Sequence, residues 1–371
     1  MHESRRDRLA RGVTAAEQVV DRLAFRALRG RAGWRRTLLP YVGHGTGVQG
    51  HLRARVLLRR HAADRASTHG RTGLRGQLAD LRRGVSPYLS VQVPDEAVLA
   101  EVAGRAVRAA SDDEGYVEID VDLPGLAPGW QPVRWWLESC PDQVAEGRLL
   151  VVDPAARLGV VSDIDDTVLH TGLTRLLEAL RTSLLTPEHE RRPIPGAAEL
   201  YRGLVRGDGG RAPVFYVSTG AWNLHAAMLR FLARHGFPTG PLVMTDWGPG
   251  GDWLFRENSV AFKSRTVLEL LAEHPGLGWV LVGDSGQHDP EAYAVVARRY
   301  PERVRAIYVR DVPPHPPGRT HRVREIASEL HGLGVPMRLV RDSVAAAEHA
   351  ADVGLLDAEA LAEVRAAVGG R

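Results

Sequence analysis

Residues 158–168, Leu-Gly-Val-Val-Ser-Asp-Ile-Asp-Asp-Thr-Val, lead an apolar run straight into three carboxylates. Asp163 and Asp165, two apart at the end of a strand, can both turn toward one crevice. Their paired negative charge is tolerable there only with a cation or a shared proton. Carboxylates that hold a cation beside a nucleophile are equipment for attack on a phosphate ester. A D-x-D-x-T string recurs by chance, so the surrounding pattern has to decide.

That pattern continues downstream. Val-Phe-Tyr-Val runs into Ser218-Thr219-Gly220, and Trp-Val-Leu-Val runs into Gly283-Asp284-Ser285, with Asp289 five residues beyond Asp284. Of 48 basic residues only Lys263 is a lysine. A bias toward arginine spared one position, as expected where a compact ammonium must fit beside a phosphate and a forked guanidinium would not serve.

Elements that could gather these residues are readable from residue 151 onward. Apolar runs at 158–162, 213–217, 242–244, 279–282 and 304–308 alternate with helical patterns near 196–206, 222–235, 262–273 and 290–299. This grammar predicts an α/β domain over 151–371, a doubly wound parallel sheet with helices on both faces. Ligands of such sheets sit outside the carboxyl ends of the strands, where the polar residues above cluster.

The preceding chain reads differently. Thr14-Ala-Ala-Glu17 is a capping box, and Val13, Ala16, Val20, Leu23 and Ala27 keep a helical stripe, so 1–40 is expected to be a basic amphipathic helical segment. Short alternating runs parted by Gly, Pro and Asp, including those at 89–93, 116–121 and 133–137, predict a small β-rich module over 41–150, built as a sandwich.

Composition bounds the classes. The chain has 371 residues, 44% hydrophobic and 25% charged, as a globular protein of about two domains would. No segment approaches the ~18 apolar residues that span a bilayer, and Asp7, Glu17 and Asp21 interrupt any signal-like region, so a cytoplasmic address is expected. Cys140 is the sole cysteine, which excludes an intrachain disulfide. Residues 1–93 hold nineteen Arg against six acidic residues, a cationic front third suited to an anionic membrane surface, nucleic acid or an acidic partner. Aromatic interleaving and any recognisable nucleic-acid module are missing, which argues against nucleic acid.

The ordered motifs are similar to those of the haloacid dehalogenase (HAD) superfamily. Within it, Pro195-Gly196, Trp222-Asn223-Leu224, His235-Gly236-Phe237-Pro238, Thr245-Asp246-Trp247-Gly248, the run 283–291 and Ile307 to Val312 resemble the catalytic domain of actin-patch-type, lipin-related phosphatidate phosphatases. The resemblance implies a HAD-like Rossmannoid fold and a Mg2+-dependent phosphomonoesterase working through an aspartyl-phosphate. Asp163 would be nucleophile and metal ligand, Asp165 general acid and base, with its carbonyl on the metal, and Asp284 a further ligand. Ser218 and Lys263 would hold the phosphoryl oxygens, with Thr219 and Gly220 binding substrate beside them. Thr167 and Asp289 are supporting residues, Asp289 either near the metal or as a helix cap. His170, His288 and Arg310 lie near the expected crevice without an assigned role. Asp166, where many superfamily members carry glycine, has none either.

The segments 169–195 and 247–262 are short for a cap domain, so an open crevice is expected, fitting a substrate lodged in something large. Phosphatidate at an anionic membrane, with peripheral contact through the arginine-rich front third, is the leading expectation. Trp222, Trp247 and Trp253 could form an apolar lip for acyl chains, although a place in the buried core is the commoner use of tryptophan. Two alternatives stay open on the residues: a phosphatase of a soluble metabolite or phosphoprotein, and a non-catalytic phosphatidate-binding module. Retention of both Asp163 and Asp165 argues against the second.

Overall fold

A computed structural model describes residues 33–60, 90–169, 192–245, 259–313 and 317–370. Described residues up to Val151 form one unit and those from Val152 onward a second. The helix expected near 14–28 lies outside the described residues. Trp34–Pro40, inside the segment 1–40 expected to be helical, is instead a strand, β1. Its neighbour explains the difference, because residues 54–60 offer a complementary antiparallel edge along its whole length.

Among the described residues eight further strands follow in this unit: β2 Gly43–Gly45, β3 Gln49–Arg60, β4 Ser90–Gln92, β5 Ala97–Val102, β6 Arg105–Ala110, β7 Tyr116–Asp122, β8 Gly129–Leu137 and β9 Cys140–Val151. They join in one mixed sheet, β1-β3-β2-β9-β8-β5-β6, with β4 and β7 also on β3. The strands of the module expected to be a sandwich are thus hydrogen-bonded into one connected sheet. The connection runs through β3, whose one edge pairs with β1 and β2 while the other pairs with β7 and β4. Period-two alternation in β5 and β7 turns Val98, Ala100, Val102, Val117, Ile119 and Val121 into a core shared with Leu52, Val56, Trp135 and Leu149. Arg36 pairs with Glu96 and Arg53 with Glu118, so acids meet some of the front third's positive charge. Thirteen of its nineteen arginines fall in 1–32 and 61–89, outside the described residues.

The described residues of the second unit hold six strands: β10 Leu158–Ser162, β11 Val214–Ala221, β12 Leu242–Thr245, β13 Gly278–Asp284, β14 Val304–Arg310 and β15 Met337–Val340. All pair in parallel, in the order β12-β11-β10-β13-β14-β15. Helices α1 Ala197–Gly207, α2 His225–Arg234, α3 Ser259–Glu273, α4 Asp289–Arg299, α5 Arg319–Gly332, α6 Ser343–Asp352 and α7 Ala358–Gly369 alternate with these strands or follow them. Every residue of β10 is buried, which is why it reads as a continuous apolar run. Chain order reverses at β10: the next two strands extend the sheet on one side and the last three on the other. A crevice for ligands opens at such a switch point, outside the carboxyl ends of the strands.

Candidate active site

Asp163 follows β10 directly, and its amide donates to the Val282 carbonyl at 2.9 Å, which sets it level with Gly283 and Asp284 at the end of β13. Ser162 Oγ donates to the Asp163 carbonyl at 2.5 Å and shares a 2.6 Å hydrogen bond with the Tyr201 hydroxyl of α1. Tyr201 is buried, so this small polar network anchors the strand end from within the core.

Lys263 projects from α3 into the same place and is only 1% exposed. Its Nζ donates to Asp163 Oδ1 at 2.8 Å and also to Asp289 Oδ1. The other oxygen of Asp289 accepts the Asp284 amide at 3.0 Å. Asp284 Oδ1 in turn accepts the amides of Gly286 at 2.6 Å and Gln287 at 2.9 Å. Asp163, Asp284 and Asp289 are all buried, each with a carboxylate oxygen within 4.8 Å of the others'.

The electrostatics follow from that crowding. Burial drives the Asp163 carboxyl well above its ordinary value; Lys263 opposes this, while Asp289, Asp284 and Asp165 add to it. Burial likewise raises Asp284, to about 8, with Asp289 adding and Lys263 and the Gln287 amide opposing. For Lys263, burial would lower the ammonium, but Asp163, Asp289 and Asp284 together hold it above its usual value.

Two oxygens stand out. Asp163 Oδ2 and Asp284 Oδ2 are buried without a hydrogen-bond partner. Such groups cost about 1–3 kcal/mol each, more when charged, unless something meets them. Three carboxylates against one ammonium also leave two negative charges if all are ionised. An all-oxygen set with that excess fits a hard divalent cation.

Asp165 and Ser218 meet across the crevice, Ser218 Oγ donating to Asp165 Oδ2 at 3.3 Å and accepting the Gly220 amide at 2.9 Å. Thr219 is buried beside them. Thr167 Oγ1 is buried without a partner. Asp166 has φ of 53°, the left-handed region that favours glycine. Arg310 Nη1 donates to the Asp166 carbonyl at 2.8 Å, while its Nε is buried without a partner.

Several open alternatives narrow. Both oxygens of Asp289 are committed, so it orients Lys263 and the Asp284 backbone, and His288 occupies the cap position of α4. Trp222 is 4% exposed and stacked on His225 at 5.4 Å, so it forms part of the interior and no lip. Trp247, Trp253 and His170, with most of 169–195 and 247–262, lie outside the described residues. His288 is exposed.

Sequence reasoning missed the Ser162–Tyr201 support and the contacts of Arg319, because each partner is remote in the chain. Gly283 belongs to the strand-end motif read from the sequence, but the motif does not reveal the close approach of Asp289, which a Cβ at 283 would meet at 2.5 Å.

Residues 158–311 match the family model described as "Phosphatidate phosphatase APP1, catalytic domain". Phosphatidate phosphatase APP1 of Saccharomyces cerevisiae is 29% identical over 198 residues, covering 50% of this chain and 32% of that protein. Uncharacterized protein C29B5.04c of Schizosaccharomyces pombe is 28% identical over 252 residues, covering 63% of this chain and 40% of that protein. The chain thus spans about a third to two-fifths of the length of these curated relatives. Asp163, Asp165, Ser218, Lys263, Asp284 and Asp289 all fall within the matched stretch, and over that stretch the chain resembles the catalytic domain of APP1-type phosphatidate phosphatases.

Proposed function

We propose that this chain is a Mg2+-dependent phosphatidate phosphatase, releasing phosphate from phosphatidate at a membrane surface through an aspartyl-phosphate on a doubly wound, HAD-like domain spanning 151–371. The observation that carries the reading is the pair of buried, unpartnered oxygens of Asp163 and Asp284 beside Lys263. Likeness to a protein named phosphatidate phosphatase supports the substrate. None of the described helices is long and apolar enough to cross a membrane. The contact proposed is peripheral and cytoplasmic, through the arginine-rich front third.

Asp163, Asp284 and the main-chain carbonyl of Asp165 would hold Mg2+, which supplies charge neutralisation to the phosphoryl oxygens. Asp163 attacks phosphorus, forming an O–P bond as the bond to the diacylglycerol oxygen breaks. Asp165 gives its proton to that leaving oxygen and later takes one from the water that cleaves the aspartyl-phosphate, returning Asp163 and releasing phosphate. Ser218 steadies Asp165 before substrate arrives and donates to a phosphoryl oxygen once it has. Lys263 opposes the upward push that burial gives the Asp163 carboxyl and offsets phosphate charge. Thr219 and Gly220 shape the phosphate pocket.

The test is phosphate release from phosphatidate in mixed micelles, with and without Mg2+, for wild type and Asp163→Asn. Release dependent on both Mg2+ and Asp163 supports the reading. Turnover of soluble esters alone would reassign the substrate, and vesicle binding without hydrolysis would favour a lipid-binding module.

A further inference from the structure

The Asp284 carboxylate is cradled by the amides of Gly286 and Gln287, so its aim depends on the loop 285–288 between β13 and α4. One remote side chain grips that loop by its carbonyls. Arg319, the first residue of α5, donates from Nε to Ser285 O at 2.7 Å and from Nη2 to Gln287 O. The rest of the guanidinium forks onto Glu291 of α4, Nη1 meeting Oε1 and Nη2 meeting Oε2 at 3.1 Å. The loop therefore points amides inward at Asp284 and carbonyls outward at Arg319. The arginine side chain is 13% exposed and that of Glu291 24%, so the contacts are shielded from competing water.

We propose that Arg319, oriented by Glu291, is a positioning residue that holds the 285–288 loop and thereby sets the affinity of Asp284 for a divalent cation. The inference rests on the functional reading above. Its geometry needs a planar fork: a lysine could meet one acceptor well but could not span two carbonyls and a carboxylate in one plane. The competing account is that Arg319 merely ties α5 to α4. An internal control separates the two, because Arg298 of α4 makes a bidentate pair with Glu329 of α5 at 2.6 and 2.8 Å, away from the loop.

The experiment titrates the full chain with Mn2+ and follows free ion by electron paramagnetic resonance, alongside amide exchange at Gly286 and Gln287. Arg319→Lys and Glu291→Gln are expected to weaken Mn2+ binding by about 10–100-fold, the usual effect of losing a partner that orients a ligand, and to speed exchange at both amides. Arg298→Ala, which removes only an exposed pair, is expected to change neither. Wild-type affinity in both Arg319→Lys and Glu291→Gln would overturn the clamp, as would equal weakening by Arg298→Ala. Wild type that binds no Mn2+ would overturn the functional reading and this inference with it, an outcome distinct from a clamp that fails alone.

Discussion

Gly283 lies hard against the carboxylate of Asp289: a Cβ at position 283 would stand 2.5 Å from Asp289 Oδ2 and 2.6 Å from its Cβ. The approach matters because Asp289 joins Lys263 to the Asp284 amide, and any shift of its carboxylate breaks one bond or the other. Gly283→Ala should destabilise the chain by about 1–3 kcal/mol, the range for forcing an extra carbon into a packed interior. Phosphate release should fall more than stability does, since the displaced group orients the site. Urea unfolding and a phosphate assay on the same preparation check this; an alanine variant with wild-type turnover would show that Asp289 is not needed where it sits.

Lys263 tests whether charge alone suffices. Lys263→Met would leave Asp163 and Asp289 facing each other without the ammonium, and removing one partner of a buried pair costs about 3–5 kcal/mol. Lys263→Arg keeps the charge but must fit a wider, planar group into a site 1% exposed. It should recover part of the stability and little of the activity, with turnover down about 100-fold or more. Wild-type turnover in Lys263→Arg would mean that the single lysine is incidental.

The raised carboxyl of Asp284 gives the metal-free chain a defined pH response. Its folded value of about 8 exceeds the ordinary 3.8, so the folded state binds more protons between those limits. The associated stability is fully present below about pH 4 and is lost as pH rises through 8. In chelator, wild type should therefore show a urea midpoint that falls from pH 5 to pH 9 more steeply than that of Asp284→Asn. A divalent cation must displace that proton, so apparent affinity should rise over the same interval. Parallel midpoints for the two proteins across this range would count against a protonated Asp284.

The site was legible to the extent that its chemistry sits at strand ends. A parallel strand buried on both faces writes itself as an apolar run, and a carboxylate following it has few structural excuses. Asp163, Ser218 and Asp284 were found that way, and Lys263 by its solitude. What stayed hidden depends on tertiary partners. Nothing near Asp289 announces that both its oxygens are spent on Lys263 and a backbone amide. Arg319 looks like one arginine among many until it is placed 34 residues from Ser285 in sequence and within hydrogen-bond reach in space. The strand order of the β-rich module stayed hidden for a related reason, since short alternating runs do not reveal that β3 changes partners along its length.

Asp166 offers a test of how much of the site is backbone. Its φ of 53° is a conformation that Asp tolerates better than most residues but that glycine adopts without strain. Its carbonyl, a main-chain group, accepts Arg310, and that bond survives any side-chain replacement that keeps the turn. Asp166→Gly should thus fold with stability within about 1 kcal/mol of wild type, relief of the left-handed strain offsetting the greater freedom of the unfolded chain. Asp166→Val, a β-branched residue forced into the same region, should lose about 1–2 kcal/mol from strain alone. Because the Asp166 carboxylate helps raise Asp284, the glycine variant should also shift that group downward, visible in chelator as a shallower fall of the urea midpoint with pH. Equal stability of the glycine and valine variants would show that the turn at 166 is not held in the left-handed region.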